Sequence, residues 1–315
     1  MSIITGTEGD ETLQGTSEND TINGMGGADT LYGHAGDDLL TAGIGSEMFG
    51  NNGDDTFRLS ENPQPEWFHI AGGDGQDILD NGALYDLSWG DIGSIEVLRG
   101  GGQFTVAQLN HFTTFQDIVR LQQATHGEVD LRGRIESLAD RPWGQPLLQY
   151  LGSIWDDRIN LSDQTAAVEI NAGQGRDWVQ TGAGNDILFT NDTGYYSSSA
   201  GDTLISGDGH DLIRAGNDSD LLIAGTSDTD VSDTVIGNDG WDTIYGGAGN
   251  DLLYGGKKID VEFVYYDNDI IYGGAGSDTI YGSYGNDVLH GDDGQGGADY
   301  FDLIYGGDGY DRLYG

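Results

Sequence analysis

Acidic residues recur in this chain at a nearly fixed spacing and follow closely placed glycines. The segment Gly246 to Tyr254 shows the unit: two glycines, one variable residue, a third glycine, another variable residue, and then Asp251, Leu252, Leu253 and Tyr254. A carboxylate beside a glycine turn places hard oxygen atoms close to main-chain carbonyls. Because Ca²⁺ prefers six to eight oxygen ligands, this pattern predicts calcium-binding corners.

The C-terminal half carries most copies of this nine-residue unit. Clear copies begin at Gly246, Gly273, Gly282 and Gly306. We predict calcium ligands at the sixth position of each copy: Asp177, Asp186, Asp202, Asp211, Asp220, Asp233, Asp242, Asp251, Asp269, Asp278, Asp287, Asp302 and Asp311. The turn glycines expected to supply close backbone contacts are Gly246, Gly247, Gly249, Gly273, Gly274 and Gly276. Asp157 is assigned to the same series.

The N-terminal part repeats the pattern less regularly. Predicted calcium ligands there are Asp20, Asp29, Asp38, Asp55 and, in an isolated copy at 72–80, Asp77. Glu11 and Glu47 take the sixth position in two further units, and Asp55 follows Glu47 by eight residues. We expect weak or empty sites at these departures.

Residues after each aspartate predict short strands. Positions seven to nine are apolar, β-branched or aromatic, and the middle residue is expected to face inward, as with Leu253, Ile271, Ile280, Leu289, Ile304 and Leu313. Tyrosines at position nine, such as Tyr245, Tyr254, Tyr272 and Tyr281, are expected to stack along outer sheet faces.

These units match the pattern G-G-x-G-x-D-x-U-x, and the chain resembles the repeats-in-toxin (RTX) family of secreted calcium-binding proteins. The resemblance covers residues 6–58, 72–80 and 155–315. It implies an all-β fold, a right-handed parallel β-roll with two nonapeptides per turn and many Ca²⁺ ions between turns. A three-sided parallel β-helix is the alternative. Insertions near 191–200, 224–232, 257–268 and 292–301 would alternate between edges of a roll and stack along one edge of a three-sided helix.

Composition and charge exclude several classes of protein. The 315 residues include 54 acidic and 12 basic residues, for a net charge of -42. That charge opposes binding to nucleic acid and to anionic membranes. No apolar run approaches the ~20 residues of a transmembrane segment. The chain has no cysteine, which excludes disulfides and thiolate chemistry.

The central segment interrupts the repeat and suggests three parts. We predict N-terminal repeats at 1–58, a divergent and mostly calcium-free β-helical spacer at 59–154, and C-terminal repeats with insertions at 155–315. The spacer contains neither H-E-x-x-H nor G-x-S-x-G, so the metalloprotease and lipase motifs found with RTX repeats are absent. His111 and His126 have no spacing that requires an acid–base site.

The leading hypothesis is a non-enzymatic protein that folds on binding calcium and has a structural, adhesin or extracellular-matrix role. Alternatives are a polysaccharide-active enzyme of the uronate epimerase or lyase type, and a calcium-dependent binding module of a larger exported protein. Candidate contacts for glycans or surface polysaccharide are the insertion aromatics Tyr195, Tyr196, Tyr265, Tyr266, Tyr300 and Phe301. Tyrosine faces and coil ends offer surfaces for self-association.

The resemblance implies an extracellular location reached by type I secretion. The first residues lack the basic and apolar regions of a signal peptide. Type I substrates of the family carry an uncleaved signal after the repeats, and the sequence up to Gly315 shows no amphipathic tail of that kind.

Overall fold

The structure is a computed structural model, and it describes residues 1–43, 45–60, 67–87, 90–112, 114–116, 120–123, 127–131, 148–190, 200–227, 230–256, 267–292 and 301–315. These residues form two compact units, one within 1–125 and the other comprising 127–131 and 148–315. Both are built almost entirely of short parallel strands, so the predicted all-β fold is confirmed.

The first unit contains thirteen strands and one short helix. Its elements are β1 (Ile3–Thr5), β2 (Thr12–Gln14), β3 (Thr21–Asn23), β4 (Thr30–Ala35), β5 (Leu39–Ala42), β6 (Glu47–Asn52), β7 (Thr56–Leu59), β8 (His69–Asp74), β9 (Ile78–Asp86), β10 (Asp91–Gly93), β11 (Val97–Phe104), α1 (Val106–His111), β12 (Thr114–Gln116) and β13 (Arg120–Gln123). One sheet has the order β1-β3-β5-β7-β9-β11-β13, with β12 also paired to β11, and the other has the order β10-β8-β6-β4-β2.

The second unit contains seventeen strands. They are β14 (Gly127–Asp130), β15 (Leu148–Leu151), β16 (Asp157–Asn160), β17 (Val168–Asn171), β18 (Trp178–Gln180), β19 (Ile187–Phe189), β20 (Ala200–Gly207), β21 (Leu212–Arg214), β22 (Ser219–Gly225), β23 (Thr234–Ile236), β24 (Thr243–Ala248), β25 (Leu252–Tyr254), β26 (Ile270–Ala275), β27 (Thr279–Tyr284), β28 (Val288–Asp292), β29 (Leu303–Asp308) and β30 (Arg312–Tyr314). The odd-numbered strands β15 to β29 form one sheet, and the even-numbered strands β14 to β30 form the other.

Successive strands alternate between the two sheets from β1 to β11 in the first unit and throughout the second, so one turn of the coil contains two strands. This arrangement is the two-sided roll and not the three-sided alternative. The four insertions lie between β19 and β20, β22 and β23, β25 and β26, and β28 and β29. They therefore alternate between opposite edges of the roll, as the two-sided arrangement predicts.

The core of the second unit is a thin layer between the sheets. Ile280 pairs in register with Leu253, and Ile271 with Leu289; all four side chains are fully buried. Leu313, predicted to face inward with them, is 50 % exposed in β30. With two such side chains per turn, burial provides few apolar contacts to offset the entropy of ordering eighteen or more residues.

The helix α1 lies between β11 and β12 in the first unit. Thr105 caps it: its hydroxyl accepts a hydrogen bond from the main chain of Gln108, and the Gln108 side chain accepts one in return. The Gln108 amide also donates to the carbonyls of Leu87 and Gly90. The rings of Phe104 and Phe112, which flank the helix in sequence, meet edge to face with their centroids 5.7 Å apart.

Candidate metal centre

Each regular turn ends in an aspartate that lies just before a strand. In the turn from Gly246 to Asp251, φ is +108° at Gly247 and +132° at Gly249, values that side-chain-bearing residues rarely adopt. Asp251 is 2 % exposed and directly precedes β25. The glycines thus turn the chain sharply enough to bring a carboxylate inside the edge of the roll.

One oxygen of each aspartate joins a ladder along the edge. The main-chain N–H of Asp251 donates to Oδ1 of Asp278 at 2.8 Å, and the N–H of Asp278 donates to Oδ1 of Asp302 at 3.0 Å. Three such ladders of aspartates occur among the described residues. Their members are Asp20, Asp38, Asp55 and Asp77 in the first unit; Asp157, Asp177, Asp202, Asp220, Asp242, Asp269, Asp287 and Asp311 on one edge of the second; and Asp186, Asp211, Asp233, Asp251, Asp278 and Asp302 on its other edge.

The other oxygen of many ladder aspartates accepts no hydrogen bond although it is buried. Among the described residues, this holds for Oδ2 of Asp38, Asp55, Asp77, Asp211, Asp233, Asp242, Asp251, Asp269, Asp278 and Asp287. It also holds for Oδ2 of Asp29, which lies outside the three ladders and whose Oδ1 accepts from the N–H of Glu11 at 3.0 Å. A buried charged oxygen without a partner costs several kcal/mol. So many orphaned oxygens at one position of the repeat indicate that a ligand completes the site.

Carbonyl oxygens converge on the same points. A Cβ placed on Gly246 would lie 2.5 Å from both Oδ2 of Asp251 and the carbonyl oxygen of Gly273 in the next turn. Gly237 with Asp242 and Gly255, and Gly282 with Asp287 and Gly306, repeat this arrangement. Carboxylate and carbonyl oxygens are the donors that Ca²⁺ prefers, so the residues present fit that ion.

Burial and neighbouring carboxylates change the acidity of the ladders. Burial first, and then the charge of Asp278, raise the pKa of Asp251 to about 7. Burial likewise raises the pKa of Asp269 to about 8 and that of Asp55 to about 7. These carboxyls resist ionisation unless a cation takes the place of the proton.

In two turns, the hydroxyl group of a threonine lies beside the carboxylate of the turn's aspartate. Thr16 donates from its hydroxyl and from its N–H to Oδ2 of Asp20, which lowers the pKa of Asp20 to about 2. Thr181 occupies the first position of its turn, where its hydroxyl lies beside the carboxylate of Asp186 and donates its one hydrogen to the carbonyl of Ser206 at 2.7 Å. The carboxylate of Asp20 is thus satisfied without a metal, and a hydroxyl takes the first turn position beside Asp186.

The structure places every aspartate predicted as a ligand at the edge of a turn, and it corrects one N-terminal assignment. Ser46, and not Glu47, takes the sixth position: its hydroxyl accepts from the N–H of Asp29 at 3.0 Å. Glu47 is the first residue of β6. The one-residue deletion therefore lies in the turn before Ser46, and Asp55 keeps the nine-residue spacing.

Sequence reasoning missed three features of these edges. Glu96 ends a ladder by accepting from the N–H of Asp77 at 3.0 Å. Position five forms a second ladder, in which Oδ1 of Asn250 accepts from the N–H of Ser277 at 2.8 Å. Asp230 is buried in an insertion, where no repeat spacing identified it. Asparagine at position five was the only available signal for the second ladder.

Outer faces of the sheets carry the predicted aromatic stacks. Tyr254, Tyr281 and Tyr305 lie 4.8 Å apart between successive ring centroids and are nearly parallel. On the other sheet, His290 lies between Tyr272 at 4.8 Å and Tyr314 at 4.4 Å. The parallel register of the strands brings position nine of each repeat over position nine of the repeat one turn later.

Among the insertion aromatics, Phe301 is 86 % exposed. Tyr195, Tyr196, Tyr265, Tyr266 and Tyr300 lie outside the described residues.

In the part of the chain that the structure describes, no three acidic or histidine side chains converge on a single metal position. No helix in that part is long and apolar enough to cross a membrane.

Sequence comparison agrees with the geometry of the turns. No curated protein matches this chain. The family model described as RTX calcium-binding nonapeptide repeat matches residues 5–40, 169–192, 196–228, 227–261, 265–297 and 296–315, more than half of the chain. These segments contain the glycine turns and most of the ladder aspartates. The chain therefore belongs to the family of RTX calcium-binding repeat proteins.

Proposed function

We propose that this chain is a secreted repeat protein whose roll becomes stable on taking up many Ca²⁺ ions, and that the folded roll serves as an adhesin or matrix component. The observation that carries the proposal is the group of buried ladder aspartates, among them Asp242, Asp251, Asp269 and Asp278, whose second carboxylate oxygen has no hydrogen-bond partner. Extracellular calcium modules bind with dissociation constants of roughly 10⁻⁴–10⁻³ M, so the cytoplasm leaves such sites empty and the exterior fills them.

Charge supports calcium-dependent folding. A net charge of -42 opposes compaction, and the ladders concentrate part of that charge inside the edges of the roll. A thin core cannot offset this repulsion together with the entropy of ordering. Cations bound at the corners would neutralise the ladders, and their binding energy would become folding energy.

The aromatic stacks support binding of a glycan. Tyr245 is 41 % exposed and Tyr305 is 47 % exposed, so ring area is available on both sheets of the second unit. Flat aromatic surfaces stack against the apolar faces of sugar rings. Because the protein is strongly acidic, we expect neutral polysaccharides to bind better than polyanionic ones.

A calcium titration of chelator-stripped protein tests the folding part of the proposal. Far-UV circular dichroism should change cooperatively from coil to β-structure near millimolar calcium. A stripped protein that keeps its full β-signal and takes up little calcium would contradict it. A screen of neutral and acidic polysaccharides at saturating calcium then tests the adhesin role, which fails if no glycan binds.

A further inference from the structure

The first unit carries its own row of aromatic rings, apart from the tyrosine stacks of the second. Tyr32 of β4 stacks on Phe49 of β6 with the ring centroids 5.1 Å apart, and Phe49 meets the tilted ring of His69 in β8 at 5.3 Å. Trp67, two residues before His69, stacks on it at 6.1 Å with the two ring planes 11° apart. These four side chains, which we call the ring row, are in continuous contact.

The ring row borders an open part of the sheet face. Phe49 is in register with Ala71, and Ala71 with Gly93, so two small residues occupy the positions where further rings would continue the stack. A Cβ placed on Gly93 would meet nothing within 4 Å. Trp67 is 54 % exposed. The row therefore combines an accessible indole with a flat floor formed by Ala71 and Gly93.

His69 and Asp91 add hydrogen-bonding atoms beside the rings. Nδ1 of His69 donates to Oδ2 of Asp91 in β10 at 3.0 Å, because an ionised carboxylate only accepts. This bond orients the imidazole and leaves Nε2 of the neutral ring as an acceptor. The side chain of Asp91 is 67 % exposed, so its carboxylate is accessible to a further donor. Trp67 and Asp91 both contact His69, so a single ligand can reach both.

The chemistry of this face selects the ligand. Sugar rings have apolar faces that stack on aromatic side chains and hydroxyl groups that donate to carboxylates, and small-molecule sites combine apolar surface with a few fixed polar groups. Glu47 and Asp91 are both in register with His69, one on each adjacent strand. Two acidic residues beside the rings repel phosphate, sulfate and uronate groups, so the charge favours a neutral sugar.

We propose that the ring row and Asp91 form a binding site for a neutral saccharide. One sugar ring stacks against the exposed indole of Trp67, its hydroxyl groups donate to the carboxylate of Asp91, and the saccharide continues over the floor at Ala71 and Gly93. This inference rests on the proposed adhesin role and adds to it a site on the first unit, separate from the tyrosine stacks.

Isothermal titration calorimetry of the full chain at saturating calcium tests the proposal, with cellohexaose, maltohexaose and mannohexaose as neutral probes. The wild-type chain should bind at least one of them. Trp67→Ala should weaken that binding about tenfold, whereas Trp67→Phe should retain most of the affinity. Asp91→Ala should weaken it about three- to tenfold, because a sugar hydroxyl loses its acceptor. Trp241→Ala, at a residue of the second unit that is 62 % exposed, should match wild type.

Unchanged affinity in Trp67→Ala would overturn the inference, and so would a wild-type chain that binds none of the three probes or binds polygalacturonate more tightly. A proline-rich peptide that binds at Trp67 in place of the saccharides would assign the ring row to a protein partner and overturn it too. Circular dichroism at saturating calcium verifies that each variant folds. Binding that is lost in Tyr281→Ala and kept in Trp67→Ala would refute this inference alone, whereas a chain that binds no polysaccharide at all would refute the adhesin role.

Discussion

Asp251 and Asp278 are separated by 27 residues in sequence and by a single turn of the roll, and the main-chain N–H of Asp251 donates to Oδ1 of Asp278 at 2.8 Å. The same carboxylate directs its Oδ2 toward Gly273. One side chain therefore has two separable roles, a hydrogen bond that pins adjacent turns and an oxygen left for a metal.

Two substitutions at Asp278 should separate these roles. Asp278→Asn keeps an acceptor for the Asp251 N–H and loses the metal-binding charge, whereas Asp278→Ala loses both. Both variants should bind one Ca²⁺ ion fewer than wild type in equilibrium dialysis. In denaturation at saturating calcium, the alanine variant should have a free energy of unfolding about 1–3 kcal/mol below that of the asparagine variant, because it leaves a buried N–H unpaired. Equal stability of the two variants would contradict the ladder's role.

Acidity should stabilise the metal-free roll. The pKa values of Asp251, Asp269 and Asp55 are raised to about 7, 8 and 7, above the ~4 of an unfolded aspartate. Groups with raised pKa values stabilise the fold below the unfolded pKa, and that contribution is lost as pH rises through the folded pKa. Circular dichroism of stripped protein should show β-structure decreasing between about pH 5 and pH 8. A stripped protein that gains structure over this range would contradict the burial of the ladders.

Replacing the threonine in the turn before Asp186 by glycine should create a calcium site. Thr181→Gly converts its turn to Gly-Gly-Ala-Gly-Asn-Asp, the sequence at Gly246 to Asp251, and removes the hydroxyl that lies beside the Asp186 carboxylate and donates to the Ser206 carbonyl. The variant should bind one more Ca²⁺ ion than wild type in equilibrium dialysis. Without calcium it should be less stable by about 1–3 kcal/mol, because the Ser206 carbonyl loses its hydrogen-bond donor. An unchanged number of bound Ca²⁺ ions would show that glycine at the first position of the turn is not sufficient to create a calcium site.

Replacing Ser283 by glycine should relieve backbone strain at the second position of its turn. Ser283 adopts φ of +89° where regular repeats have glycine. Ser283→Gly should raise the free energy of unfolding of the calcium-bound protein by about 0.5–1 kcal/mol, because glycine adopts this conformation without a steric penalty. Gly274→Ser, at φ of +109°, is the matched reverse change and should destabilise. Chemical denaturation measures both, and a destabilising Ser283→Gly would indicate that the serine side chain outweighs the strain.

The tyrosine stack should contribute to stability apart from calcium. Tyr281→Ala removes the central ring between Tyr254 and Tyr305 and should cost about 1–3 kcal/mol, given 0.5–1.5 kcal/mol for each aromatic pair. Tyr310→Ala is the control, because that side chain is 91 % exposed, and it should stay within about 0.5 kcal/mol of wild type. Calcium stoichiometry should not change in either variant. A loss of bound ions in Tyr281→Ala would couple the stack to the corners.

Local sequence determined most of the repeat architecture. Glycine before aspartate at nine-residue spacing determines a turn followed by a strand, because glycine permits the positive φ values and the alternation of a strand buries position eight. Leu253 and Ile280 illustrate this, since both are fully buried as their position in the repeat predicts. The order of the repeats, at two per turn, also placed Asp251 and Asp278 on one edge, because parallel strands in register repeat the same position in each turn.

Only the tertiary structure decided which aspartates keep a carboxylate oxygen without a hydrogen-bond partner. Asp20 and Asp38 have the same position in the repeat, yet Thr16 satisfies Oδ2 of Asp20 while Oδ2 of Asp38 is orphaned. The hydrogen bond from the N–H of Asp29 to Ser46, and the one from the N–H of Gly209 to Asp230, were visible only once neighbouring turns were in place. Hydrogen bonds between turns join residues 17 or more positions apart, with irregular separations wherever an insertion intervenes. The spacing of the repeats alone cannot show which aspartate Oδ2 accepts a hydrogen bond from a hydroxyl and which has no partner.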